Sequence, residues 1–192
     1  MKRLVTVAIV VVAAAALAMV VWLSSTTDEV GDATDGAPAP TGEPGLPTHP
    51  AGAFPLTVDH VFDGDTIEAR TLAPNDLVTT SGPIRIRLIG IDTPEGAPSP
   101  ECWADEARAH LRELLPVGST VWAAPDAEAL DDYGRHLFNL WTDDGTFLNH
   151  ELVAAGDAEA IRVWPNVAFY DLLSNAQAQA EASGAGRWGA CG

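Results

Sequence analysis

Lysine is almost missing from this sequence. Lys2 is the only one, and Lys and Arg together number 10 against 27 Asp and Glu, for a net charge of −17. That sign argues against a protein that holds nucleic acid non-specifically on a basic face, because such binding rests on releasing the counterions of neutralised phosphates. Cysteine is equally scarce: Cys102 and Cys191 are the whole supply, and their spacing excludes a CxxC metal site. His60, His110, His136 and His150 likewise lack the ligand spacing of zinc. No internal repeat is present.

Among what is there, Leu4 to Leu23 form one apolar run with nothing more polar than Thr6. Twenty such residues are enough to span a bilayer. Lys2 and Arg3 precede the run and no basic residue closely follows it, so the positive-inside rule sends the rest of the chain outward. Residues 1–23 therefore read as a signal anchor. A cleaved signal peptide, with Ala16-Leu17-Ala18 as its processing site, is the alternative. Residues 24–53, rich in Pro, Gly, Thr and acids, carry too little apolar surface to offset the entropy of ordering them and read as a disordered linker.

Residues 54–192 remain, long enough to bury a core alone. They hold 22 acids and eight bases, all arginine, for a net charge of −14. In an exported domain an even pair of cysteines reads as a Cys102–Cys191 disulfide, which in the chain-entropy model contributes about 4 kcal/mol. Two buried free thiols are the other reading.

Alternation of apolar and polar residues predicts strands at 56–61 and 66–70 joined by the turn Phe62-Asp63-Gly64-Asp65, and a third strand over 84–91 that Asp92-Thr93-Pro94 halts. Ser99-Pro100-Glu101 opens a helix running to Pro116, with Glu101, Asp105 and Glu106 offsetting its dipole. Strands at 119–123 and 136–141, a short helix over 147–155 and a last helix over 168–183 complete the layout. Five strands with three helices point to a small α+β domain built on a barrel, since antiparallel strands must close or be covered to lose their edges.

Asp63-Gly64-Asp65-Thr66 sits at a hairpin turn, and Asp92-Thr93-Pro94-Glu95 follows the end of a strand that carries Arg87. Asp131-Asp132-Tyr133-Gly134-Arg135 puts a further arginine in a tight turn. Each motif has an ordinary reading as a turn or strand stop. Together, two arginines and three carboxylates suit a phosphodiester: carboxylate oxygens hold a hard cation, and guanidinium forks match phosphate oxygens. Arg70 and Arg85 fall on the solvated strand face. Trp103, Trp122, Trp141 and Trp188 read as packing.

The set Asp63-Gly64-Asp65-Thr66, Ile86-Arg87-Leu88, Ile91-Asp92-Thr93-Pro94-Glu95 and Asp132-Tyr133-Gly134-Arg135, with Leu148-Asn149-His150-Glu151-Leu152-Val153 and Gly156, resembles the staphylococcal-nuclease-like (thermonuclease) family from about Leu56 to Trp188. The resemblance implies an α+β, five-stranded OB-fold β-barrel with three helices, and a monomeric calcium-dependent nuclease that cuts DNA or RNA at the P–O5′ bond to leave 3′-phosphates. It makes Asp65 and Asp92 the calcium ligands, with the carbonyl of Thr93. Glu95 becomes the general base, Arg87 and Arg135 the phosphate-binding arginines, and Tyr133 a nucleotide contact. Where the family presents two base-stacking tyrosines, this sequence has Arg162 and Trp164, and Asp132 stands where a basic residue is frequent. The alternative is a non-catalytic OB-fold binding module. A decayed copy should lack at least one of Asp65, Arg87, Asp92, Glu95 and Arg135, and all five are present.

Overall fold

In a computed structural model the described residues are 45–192; residues 1–44, which hold the apolar run and most of the linker, lie outside them. No helix among the described residues is long and apolar enough to cross a membrane. A closed barrel is built from β1 (Phe54–Val61), β2 (Thr66–Thr71) and β3 (Ile84–Leu88) with two later strands, β5 (Thr120–Ala124) and β6 (His136–Thr142). A short strand β4 (Ile91–Asp92) lies between β3 and β5 in the chain and belongs to another sheet. Around the barrel run β1-β2-β3-β6-β5, all neighbours antiparallel except β3 and β6, which are parallel. Closure removes the edges that strands of this length would otherwise expose.

The alternation read from the sequence is what fills the barrel. Val58, Ile67, Ile86, Val121, Phe138 and Leu140 point inward and are fully buried. Helix α1 (Ala104–Leu114) buries Ala104, Ala107 and Leu111, and α2 (Leu148–Ala154) buries Leu148, Leu152 and Val153. The later elements are β7 (Glu159–Ala160), α3 (Tyr170–Ser183) and a four-residue turn of helix, α4 (Arg187–Ala190). Fully buried Asn149 on α2 takes the amide of Leu140 on its Oδ1 and donates Nδ2 to the carbonyl of Ile89, tying the helix to β6 and to the turn that follows β3.

Three differences from the sequence reading have clear causes. The strand expected over 84–91 breaks after Leu88, because Gly90 turns the chain at φ 75°, a conformation glycine adopts without steric cost. Beyond that turn β4 leaves the barrel and pairs antiparallel with β7, Ile91 against Ala160 and Asp92 against Glu159. The helix expected from Ser99 begins at Ala104, after Trp103 in the left-handed region at φ 77°. Besides the barrel, then, the described residues hold a second small sheet and a fourth short helix. The chain also meets the barrel before residue 54: the Trp141 indole donates to the carbonyl of Pro47, and His49 stacks on Trp122. Cys102 and Cys191 form a disulfide, Cα–Cα 6.0 Å.

Candidate active site

Asp65 closes the β1–β2 turn, where its amide donates to Oδ1 of Asp63 at 3.1 Å. The glycine between them is required by close approach: a Cβ on Gly64 would lie 2.8 Å from Cγ2 of Thr93 and 2.9 Å from Cβ of Ala107. That approach brings Thr93 onto the carboxylate. The amide and hydroxyl of Thr93 donate to Asp65 Oδ2 at 2.8 and 2.9 Å, while the Thr66 hydroxyl donates to Oδ1 at 3.1 Å. Burial pushes the Asp65 carboxyl up to about 6; neighbouring Asp63 adds to this, while Arg87 and the Thr93 donors oppose it.

Arg87 joins the two motifs. From β3 its Nη1 lies 3.0 Å from Asp65 Oδ2 and its Nη2 donates to Asp92 Oδ1 at 2.7 Å. Its side chain is largely buried, whereas that of Asp92 is mostly exposed. Each carboxylate thus turns one oxygen to the guanidinium. Glu95 follows in an exposed loop closed by Glu101: the Glu95 amide donates to Glu101 Oε2, and the Glu101 amide donates to the Glu95 carbonyl, both at 2.9 Å. Sequence reading gave Glu101 only a role at the helix start. It also fixes the backbone of the expected base.

From Arg87 a cleft of ≈ 260 Å³ runs to Tyr133 and Arg135, walled by Ile161, Val163 and Asn166. Arg135 is aimed by Asp131, which accepts its backbone amide at 2.8 Å and its Nε at 2.7 Å, and accepts the Tyr133 amide at 3.0 Å. Burial alone would raise the Asp131 carboxyl, but the hydrogen bonds and charge of Arg135 outweigh it and hold the group below the usual carboxylate range. The guanidinium of Arg135 lies 5.7 Å over the Tyr133 ring. Asn166 fastens the cleft wall by pairing both amide atoms with the backbone of Glu128.

The fold therefore gathers Asp65, Arg87, Asp92 and Thr93 by direct contact, and brings Arg135 and Tyr133 to the same cleft as Arg87. Arg162 and Trp164 do not line that cleft: Arg162 lies over the Tyr170 ring at 5.4 Å, and Trp164 is 80% exposed. Asp131 and Asn166 were missed in the sequence. The pairing of Asp131 with Arg135 over four residues was the one visible hint.

Among the described residues no three His, Cys, Asp or Glu side chains gather as a ready metal cage. Two carboxylates, a backbone carbonyl and water are nevertheless a donor set that a hard divalent cation accepts, since calcium takes all-oxygen, flexible coordination. The buried Asp65, costly to ionise alone, fits such a partner.

The Staphylococcal nuclease homologue family model matches residues 85–190. The chain belongs to the staphylococcal nuclease family. Arg87, Asp92, Thr93, Glu95, Tyr133 and Arg135 all fall within that match, and Asp65, which precedes it, reaches it through Arg87 and Thr93. The closed barrel with its helices is the OB-fold architecture expected of the family. Among similar proteins, Endonuclease YhcR of Bacillus subtilis (strain 168) is 32% identical over 152 residues, 74% of this chain and 12% of that protein. The Thermonuclease of Staphylococcus intermedius is 32% identical over 126 residues, covering 65% of this chain and 70% of its own. An uncharacterized endonuclease of Escherichia coli O157:H7 is 33% identical over 101 residues, 53% of this chain and 57% of its own. The chain thus spans a small part of the Bacillus relative and more than half of the other two.

Proposed function

We propose that this chain is an exported, calcium-dependent nuclease that hydrolyses the P–O5′ bond of DNA or RNA, leaving a 3′-phosphate and a 5′-hydroxyl. The observation that carries the reading is the Arg87 guanidinium between Asp65 and Asp92, at 3.0 and 2.7 Å, at the head of a cleft that Arg135 also lines. Membership of the nuclease family supports it, and so do the relatives named as endonuclease and thermonuclease. Export draws its support from the apolar run after Lys2 and Arg3 and from a disulfide of the kind that oxidising compartments keep.

Asp65, Asp92 and the Thr93 carbonyl would hold the ion. Bound there, calcium supplies positive charge against the phosphate in a domain whose own net charge is −14. Arg87 and Arg135 donate to the non-bridging phosphate oxygens, where negative charge grows as water adds to phosphorus, so fixed donors there count most. Glu95, exposed at the rim, takes the proton of the attacking water. A guanidinium holds its protons too firmly to act as a general acid, so the departing O5′ draws its proton from solvent.

The test uses the full-length chain on heat-denatured DNA. Cutting is expected with calcium and lost with a chelator. Glu95→Gln is expected to lower the rate by about 10²–10⁴-fold while the thermal unfolding midpoint stays in place. Equal cutting by the wild type and Glu95→Gln would overturn this mechanism.

A further inference from the structure

Arg85 lies outside the machinery just described, on the outward face of β3 two residues before Arg87. Residues two apart share a strand face, so the two guanidinium stems leave the same side about 6.6 Å apart. Most arginines of the domain are committed to carboxylates: Arg70 to Asp59, Arg87 to Asp65 and Asp92, Arg108 to Asp105, Arg135 to Asp131 and Arg187 to Glu159. Arg85 makes no ion pair among the described residues. Glu68, opposite it in register, forms no ion pair with it. What holds Arg85 is Phe62, whose ring centroid lies 4.1 Å from the guanidinium carbon. A cation–π contact fixes the position without consuming the N–H donors.

The surroundings of Arg85 are those of a binding groove. A second depression, ≈ 470 Å³, is lined by Arg85, Tyr133, Gly134 and Arg135, and so shares Tyr133 and Arg135 with the cleft of Arg87. The parallel pairing of Ile86 with His136 and Arg87 with Leu137 puts Arg85 beside Arg135 at that end of the ladder. Tyr133 stands between the two depressions, 86% exposed, with a free ring face for a base.

We propose that Arg85, propped by Phe62, binds the phosphodiester next to the scissile one on a single-stranded nucleic acid, so that Arg87 and Arg135 grip the scissile phosphate while Arg85 holds its neighbour. The proposal rests on the nuclease reading above. In an acidic domain it gives the substrate one cation that need not be shared with a carboxylate.

The test compares two substrates of the full-length protein: a thymidine dinucleotide, which has one phosphodiester, and a thymidine octanucleotide. Losing one phosphate contact to a single strand lowers the salt slope by about 0.7, worth about fivefold in affinity at about 0.1 M salt. Arg85→Gln is therefore expected to raise KM for the octanucleotide about fivefold more than for the dinucleotide, with Arg85→Lys recovering most of the difference. An equal change on both substrates, or none on the octanucleotide, would overturn the proposal. Binding of a fluorescent octanucleotide to Glu95→Gln protein, with and without Arg85→Gln, is read without turnover. A loss of about fivefold there supports the subsite even if the wild-type chain cuts nothing, in which case the nuclease reading alone falls. Unchanged affinity sinks the subsite and leaves hydrolysis standing.

Discussion

Beside Arg87, at the head of the cleft, Asp65 is 5% exposed and receives its neighbour Thr66 together with Arg87 and Thr93 from further along the chain. On two surface turns, by contrast, Tyr133 and Trp164 are 86% and 80% exposed. Interlocked packing fixes the proposed catalytic end, so that a change there should disturb folding and chemistry at once. Side chains on such turns can change with little cost to the barrel, and it is on one of them that this chain carries Arg162 and Trp164 where two tyrosines were expected.

The sharpest way to break that contrast is at Gly64. Gly64→Ala drives a methyl into Thr93 and Ala107, and overpacking of this kind costs about 1–3 kcal/mol. Urea unfolding should show that loss and nuclease assays a parallel fall in kcat; an unchanged midpoint would mean that the turn is not locked. Trp164→Ala tests the opposite end. It should raise KM for single-stranded DNA by about fivefold, one modest stacking contact, with the urea midpoint unmoved; a shifted midpoint would show that the rim is structural after all.

The smallest expected effect lies away from the cleft. Buried Asp157 accepts the Trp103 indole at 2.7 Å and pairs with His110 Nδ1. The Asp157 hydrogen bond, its charge and nearby Glu151 and Glu113 raise the His110 pKa above 6.5 against the opposing effect of burial. A group raised on folding stabilises fully below its unfolded pKa, and the contribution fades as pH climbs from 6.5 through the folded value. Urea midpoints should therefore drift downward over that range in the wild type and less in His110→Gln. Identical pH slopes in the two proteins would remove His110 from the account.

The proposed catalytic end was the more legible in the sequence, because its residues ride on strong period-two strands and a hairpin turn, with β2 and β3 in a register that puts Thr66 opposite Arg87. What stayed hidden depended on long-range packing. Nothing local to Ile84–Ile91 distinguishes an eight-residue strand from a five-residue strand that turns at Gly90. The partner of β4 lies almost 70 residues further on, at Glu159–Ala160. The ring of Trp103 and the imidazole of His110 meet Asp157 across separations of 54 and 47 residues. Arg85 looked like any solvated strand residue, since the absence of a carboxylate partner is a property of three-dimensional neighbours and not of spacing.

The Cys102–Cys191 bridge encloses a covalent ring of the chain that holds α1, β5, β6, α2, α3, Tyr133 and Arg135, while Asp65, Arg87, Asp92 and Glu95 all lie on the stem before it. A protease that severs the exposed Tyr133 turn would therefore open a circle rather than release a fragment. The two pieces would stay linked through sulfur, and the cut molecule could persist as a single particle in surroundings rich in proteases, for as long as those surroundings contain no reductant.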